Sequence, residues 1–489
     1  MSTTTPSVII IGAGFGGLGM AMELRRSGFD NFTILERATA AGGVWRENTY
    51  PGAACDVPSP LYSYSYAPRA DWPHRFSGAE EIRKYLDGLA QRHRLLERIR
   101  FGAEVAEAAF DESAGVWTVR TAEGTEYSAD VLICAVGQLS RPRLPDIPGR
   151  ESFRGPSFHS AQWDHSAELS GRRVAVIGTG ASAIQFVPAI APEVARLTVF
   201  QRTAPWVLRR TDREYRPIHH ALFRYVPGLR LAQRLWVWCF LEFFALGLAD
   251  LPVLRRVLAL VCRKSLEHDV VDPELRAKLT PDYPVLCKRV LFSNEYYPAL
   301  TLPTVDVETT PIDRIVPEGV RTADGAVHPA DVIVYGTGFK GSEFLWPIRI
   351  LGRGGRDLAD AWSGGARAYL GMTVPQFPNM FLLYGPNTNL GIGSIIYMIE
   401  CQARYIRKAL GYLATHPGRA LEVKPGVARD FDEHTQHRLE RTPWTACSSW
   451  YRNAAGRITN NWPGTVTAYR LRTRSVDLAD YELIDTTSS

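Results

Sequence analysis

The residues best placed to do chemistry are two glycine clusters and the charged side chains that follow them. Gly12-Ala13-Gly14-Phe15-Gly16-Gly17 opens directly after the apolar run "SVIII", and Gly178-Thr179-Gly180-Ala181-Ser182-Ala183 opens directly after "RRVAVI". Both fit the G-x-G-x-x-G/A pattern of a strand turning into a helix. Gly12 allows the tight turn, Gly14 lets backbone amides approach a pyrophosphate, and Gly17 lets helix and strand pack closely. Gly178 and Gly180 repeat the first two roles, Ser182 lies beside them at the expected ligand, and Ala183 takes the third position. A bare glycine pattern is weak evidence, but here strand, glycines, helix and strand occur in order twice.

The charge that closes each unit differs. "NFTILERA" ends in Glu36, placed to accept hydrogen bonds from ribose hydroxyls, whereas "RLTVFQRT" ends in Gln201-Arg202-Thr203. A carboxylate repels a 2′-phosphate, and a guanidinium with a hydroxyl holds one by charge-assisted hydrogen bonds. The first unit therefore suits FAD or NAD, and the second NADPH. A solvated charge after a strand is the other reading of Arg202.

The elements that must position these groups follow from periodicity and turn signals. "GAEEIRKYLDGLAQRH" predicts a helix, and "VWTVRTAEGTEYSA" a hairpin turning at Glu123-Gly124. "RPRLPDIPG" reads as a linker between domains, and "DVIVYGTGF" echoes "DVLICAVG" as the point where the chain returns to the first domain. The expected fold is α/β, with two Rossmann-like dinucleotide-binding domains, the NADPH domain inserted into the FAD domain. The first part of the FAD domain spans 1–145, the NADPH domain 146–325 with a helical insertion at about 212–282, and the second part of the FAD domain 326–489.

Composition narrows the classes. A chain of 489 residues exceeds what one core usually serves. The net charge of +5 comes from scattered Lys and Arg rather than an arm or stripe, which argues against nucleic-acid binding. Seven cysteines without a Cys-x-x-Cys pair read as reduced thiols in a cytoplasmic chain, and histidines and cysteines show no metal-ligand spacing. "MSTTTPSVIIIGAG" lacks the features of a signal peptide. The apolar stretch from Leu235 to Cys262 is interrupted by Glu242, Asp250, Arg255 and Arg256 and split by Pro252, leaving runs shorter than ~20 residues. It reads as a pair of packed helices lining a substrate entrance, with weak membrane-surface contact as the second reading.

Between the two glycine units lies "FRGPSFHSAQWD", and its spacing Phe-x-Gly-x-x-x-His-x-x-x-Trp-Asp is required by neither. Phe153, Gly155, His159, Trp163 and Asp164 match the fingerprint of the class B flavoprotein monooxygenases, in the version of the Baeyer-Villiger branch. "GGVWRENTYPGAACD", with Gly43, Trp45, Tyr50 and Asp56, and "CKRVLFSNEYYPAL", with Lys288 and Arg289, are similar to further family segments. The resemblance covers nearly the whole chain.

It implies an FAD- and NADPH-dependent enzyme that inserts one atom of O2 beside a ketone carbonyl, giving an ester or lactone through a C4a-peroxyflavin. Arg289 is then the cation at the peroxide, Asp56 its ion-pair anchor, and Lys288 a partner of Arg202 and Thr203 at the NADPH phosphate. Trp45, Tyr50 and Pro51 would wall the flavin, Asn387 would lie in the return loop below it, and His159 would couple NADPH binding to domain movement. Without the resemblance, Asp56 reads as a turn residue in "CDVPSP", Lys288-Arg289 as a surface doublet and His159 as a hydrogen-bonded core histidine. Rival functions are a heteroatom oxygenase, an NADPH oxidase-like flavoprotein, a disulfide reductase and a nucleotide-sensing module. An arginine holding a peroxy anion has little use in the first, and a missing Cys-x-x-Cys weakens the reductase.

Overall fold

Val8–Ile11 is buried along its whole length, and its uninterrupted β-branched residues suit a strand covered on both faces. It is the middle strand of a five-stranded sheet ordered Met380–Leu382, Val131–Cys134, Val8–Ile11, Phe32–Glu36, Ile99–Phe101, with every pair parallel. The computed structural model describes residues 5–453 and 455–486, apart from the side chains of 247–250. The first four residues of the N-terminal stretch considered above therefore lie outside the described residues.

Helix Phe15–Arg26 follows the glycine turn and packs against Ile395–Thr415, which closes the same face of the sheet. Leu18, Met20, Met22, Ile399 and Ile406 meet there in one core, each such side chain contributing about 1.5–3 kcal/mol on burial. The predicted helix is observed as Ala79–Arg92, and the predicted hairpin as Val116–Thr121 and Glu126–Ala129, with Gly124 at φ 87°.

The second sheet is also parallel and five-stranded, ordered Val305–Glu308, Arg196–Phe200, Arg173–Ile177, Val332–Tyr335, Ser157–His159. This corrects the meaning of the repeated "DV" strands. Val332–Tyr335 still belongs to the second sheet, so the chain crosses back after Tyr335 rather than near residue 326. The echo marks an equivalent place in each unit, because each strand runs beside a glycine-turn strand. A Cβ on Gly12 would stand 2.8 Å from the Ala135 carbonyl oxygen, and one on Gly178 2.6 Å from that of Gly336.

Helices Pro217–Tyr225, Leu229–Asp250, Pro252–Asp269 and Pro273–Lys278 form the expected insertion. Among the described residues, no helix is long and apolar enough to cross a membrane. The reading of all seven cysteines as thiols is corrected: Cys287 and Cys447 form a disulfide, and five cysteines are free. Their sequence separation of 160 residues hid the pairing, because only the fold brings the two Cα atoms to 6.0 Å.

Candidate active site

The first glycine turn is an open cradle. A Cβ on Gly17 would lie 1.8 Å from the Gly12 carbonyl oxygen, so close helix–strand packing admits only glycine there. A Cβ on Gly14 would lie 3.5 Å from the Gly43 Cα, which places two bare backbones opposite one another at a helix N-terminus, as a pyrophosphate requires. Glu36 is buried at the edge of this cradle. Its Oε2 accepts from the Ala13 N–H at 2.8 Å and its Oε1 from the Ala38 N–H at 3.0 Å, so the carboxylate also braces the glycine turn. Arg46 lies 3.3 Å from Glu36 Oε1.

Asp56 and Arg289, 233 residues apart, close a two-point fork. Arg289 Nε donates to Asp56 Oδ2 at 2.9 Å and Nη2 donates to Oδ1 at 2.8 Å. Planar guanidinium and carboxylate fit in this way without further adjustment, which fixes the orientation as well as the position of the cation. The Asp56 charge holds the guanidinium pKa above its already high ordinary value, so Arg289 stays charged at any working pH. Burial pushes the phenols of Tyr62, Tyr384 and Tyr451 and the thiol of Cys55 upward, so neutral groups surround the pair.

Arg202 and Lys288 make a contrasting cation site. Arg202 is exposed, and neither side chain pairs with a carboxylate among the described residues. Burial first, and then the Arg202 charge, lower the Lys288 pKa, with Asp282 offsetting part of the shift. The Lys288 ammonium stands 4.5 Å from the Tyr283 ring centroid. Thr203 lies just past the strand Arg196–Phe200, its carbonyl accepting from the Thr179 hydroxyl at 3.1 Å, next to the Gly178 turn. Two neighbouring cations beside a glycine turn fit a phosphorylated dinucleotide.

The fingerprint residues lie where the two sheets are joined. A Cβ on Gly155 would come within 2.2 Å of the Asp331 carbonyl oxygen and 2.9 Å of the Phe153 ring. His159 is only 2% exposed and ends the strand paired with Tyr335. Its Nδ1 accepts from the Ala161 N–H at 3.1 Å, and its ring edge meets Phe339 in the crossover. Burial lowers its pKa, with the Gly338 backbone offsetting part of the shift, and the accepting Nδ1 leaves the proton of the neutral ring on Nε2. Trp163 packs at 5.4 Å on Phe186, which in turn meets Tyr50 at 6.1 Å. Asp164 closes a local turn by accepting from the Ser166 backbone and hydroxyl, which hold its carboxyl below the usual range.

Several contacts were not legible in the sequence. Gln185, on the helix after Ser182, accepts from the Tyr50 hydroxyl at 2.9 Å and donates to the Ala54 carbonyl at 3.0 Å, tying the second unit to the "TYPG" turn. Tyr451 lies against Arg289, and the Cys287–Cys447 disulfide fastens its segment beside Lys288-Arg289. The local sequence around Tyr451, "SSWYRN", carries nothing that points to residue 289. Trp45 donates to the Tyr62 hydroxyl at 3.1 Å. Asn387, at φ 54°, spends its amide on the carbonyls of Ile458 and Asn461, holding the C-terminal segment over the return loop.

Two parallel nucleotide-binding sheets, one inserted in the other and meeting at a fixed Arg–Asp pair, define a flavin- and nicotinamide-dependent oxidoreductase. Comparison with known proteins gives the particular family. Residues 9–225 match the pyridine nucleotide-disulphide oxidoreductase family model. The chain is 46% identical to a Baeyer-Villiger monooxygenase of Streptomyces coelicolor, across 98% of this chain and 92% of that one. It is 42% identical to a Baeyer-Villiger monooxygenase of Pseudomonas aeruginosa over the same shares. An oxidized steroid monooxygenase bound to NADP superposes with a TM-score of 0.87 at 30% identity, over 99% of this chain and 100% of that chain. A complex of OTEMO with FAD and NADP gives 0.88 at 27% identity, over 98% and 99%. The chain belongs to the Baeyer-Villiger monooxygenases. It is an FAD- and NADPH-dependent monooxygenase in which the NADPH domain is inserted into the FAD domain.

Proposed function

We propose that Arg289 is the cation at the reacting oxygens when one atom of O2 enters beside the carbonyl of an apolar ketone, giving an ester or lactone, and that Asp56 anchors it. The Arg289–Asp56 fork carries this reading, because it fixes a permanent cation among neutral groups at the junction of the two units. Bound FAD, reduced by NADPH, supplies the oxygen chemistry. Gly12, Gly14, Gly17, Gly43 and Glu36 would hold the FAD pyrophosphate and ribose, with Trp45, Tyr50 and Asn387 bounding the ring. Gly178, Gly180, Ser182, Arg202, Thr203 and Lys288 would hold NADPH.

Arg289 binds and orients the oxygen atoms on which negative charge develops. At ~4 Å and an effective dielectric of ~20 the attraction is about 4 kcal/mol, or roughly three decades in rate if it develops only in the transition state. Buried Tyr451 and half-buried Tyr62 and Tyr384 shield part of the pair from water. His159, neutral and in contact with the crossover at Phe339, would transmit NADPH binding to the junction, with Phe153, Gly155, Trp163 and Asp164 as its packing frame. The sheet topology supports an NADPH domain from about 146 to just beyond Tyr335. NADPH dependence supports a cytoplasmic location, whereas the Cys287–Cys447 disulfide counts against one.

The test supplies the FAD-loaded protein with NADPH, 18O2 and a series of apolar ketones and sulfides. The expected product is an ester or lactone carrying one 18O, with one NADPH consumed for each. Oxidation of sulfides alone, or NADPH consumption that yields only hydrogen peroxide, would overturn the reading.

A further inference from the structure

The insertion turns its apolar side outward. In helix Leu229–Asp250, Leu231, Leu235, Phe240, Leu246 and the aromatics Trp236 and Phe243 are exposed, Trp236 at 58% and Phe243 at 55%. Two polar residues of the same helix, Arg234 and Glu242, face inward, whereas Arg230 is exposed. Arg234 donates to the Pro60 and Ser63 carbonyls at 2.6 and 2.9 Å and lies 3.7 Å from Glu400. Glu242 accepts from the Val466 and Thr467 N–H groups at 2.9 and 3.1 Å. A surface helix normally shows water its polar side, so this inversion marks a face built to be covered. Helix Pro252–Asp269 continues it with exposed Val253, Val257, Leu260 and Val261, while Cys262 and Leu266 pack inward.

Charge identifies the cover. Between Pro217 and Asp269 the chain carries seven cations, Arg224, Arg230, Arg234, Arg255, Arg256, Arg263 and Lys264, and four acids, Glu242, Asp250, Glu267 and Asp269, of which Asp269 pairs with Arg209 outside these helices. Arg234 and Glu242 are spent on the inner contacts, and among the described residues none of the other six cations pairs with a carboxylate. Two copies of this basic surface would repel one another, whereas an anionic bilayer would attract it. Exposed Trp and Phe among arginines are the groups that settle at the headgroup boundary. No described helix can cross the bilayer, so the hairpin would lie on it.

We propose that the outer face of the helices from Pro217 to Asp269 docks the enzyme on an anionic lipid surface. The inner side of the second helix packs with Val285, Leu286 and Val290, the segment that carries Arg289. Resting on the function proposed above, docking would put the reacting centre beneath a surface from which an apolar ketone partitions. Lipid binding itself requires no turnover, so the two readings fail separately.

The test is sedimentation of the full-length, FAD-loaded protein with vesicles of phosphatidylglycerol and phosphatidylcholine in equal parts, or of phosphatidylcholine alone. The wild type should pellet with the anionic vesicles and be released by high salt. The triple variant Trp236→Ser, Phe240→Ser, Phe243→Ser should lose about tenfold or more of this binding, and Arg255→Ser with Arg256→Ser about the same. Unchanged FAD content and melting temperature would show that the variants fold. Equal pelleting of the folded triple variant and wild type overturns the proposal. So does a dimer in light scattering that the triple variant abolishes, without vesicle binding by the wild type, because the face would then be a self-contact.

Discussion

Two cation sites lie next to each other in the chain, yet the fold treats them oppositely. Arg289 is clamped by Asp56 through two hydrogen bonds, whereas its neighbour Lys288 shares its surroundings with Arg202 and pairs with no carboxylate among the described residues. A clamped cation is fixed before any ligand arrives and acts by preorganisation. Uncompensated cations repel one another until an anion binds, so they act by recognition. In the function proposed above, this difference would separate chemistry from cofactor selection within one dipeptide.

The strongest way to break this comparison is Arg289→Ala. Ester formation should fall by about three decades while NADPH is still consumed, the oxygen leaving as hydrogen peroxide. Parallel assays of ester and peroxide check this, and a wild-type ester yield would remove Arg289 from the chemistry. Asp56→Asn keeps the shape of the anchor but not its charge, and it should lower ester turnover by about two decades with smaller change in the NADPH Michaelis constant. A change confined to that constant would place Asp56 with the other site.

On the recognition side, Arg202→Ala should raise the NADPH Michaelis constant by about tenfold or more and leave that for NADH nearly unchanged. Equal effects on both cofactors would show that Arg202 does not meet the 2′-phosphate. A smaller effect follows from Lys288, whose pKa burial and Arg202 hold down. Losing its proton removes a cation, so the NADPH constant should rise with pH before an ordinary lysine would titrate, while the NADH constant stays flat. In Arg202→Ala the rise should move to higher pH, because the repelling charge is gone.

The smallest expected effect concerns how the sites are tied to the C-terminal segment. Thiol titration of the unfolded, unreduced protein should count five free cysteines, and seven after reduction. Cys447→Ser should free Cys287 and change turnover only a few-fold, since the Arg289–Asp56 fork does not depend on it. Seven thiols without reductant would show that no covalent tie exists.

The sequence carried the glycine turns, Glu36, Arg202 and the fingerprint, because each depends on neighbours a few residues away. The place of the "DVIVYGTGF" strand was misjudged since a buried strand looks alike in either sheet, and hydrogen-bond pairing alone assigns it. Gln185 and Tyr451 were missed for a related reason. A glutamine on a helix and a tyrosine in a loop carry no local mark of the partners that folding brings to them.

By itself, then, the sequence determined two dinucleotide-binding units, their order and their different cofactor phosphates, since glycine spacing and strand-end charge act locally. Only the tertiary structure decided that Asp56 reaches Arg289, that Cys287 reaches Cys447, and that the insertion turns its aromatics outward. Those facts depend on distances closed across 233 and 160 residues and on which side of a helix finds a neighbour to pack against.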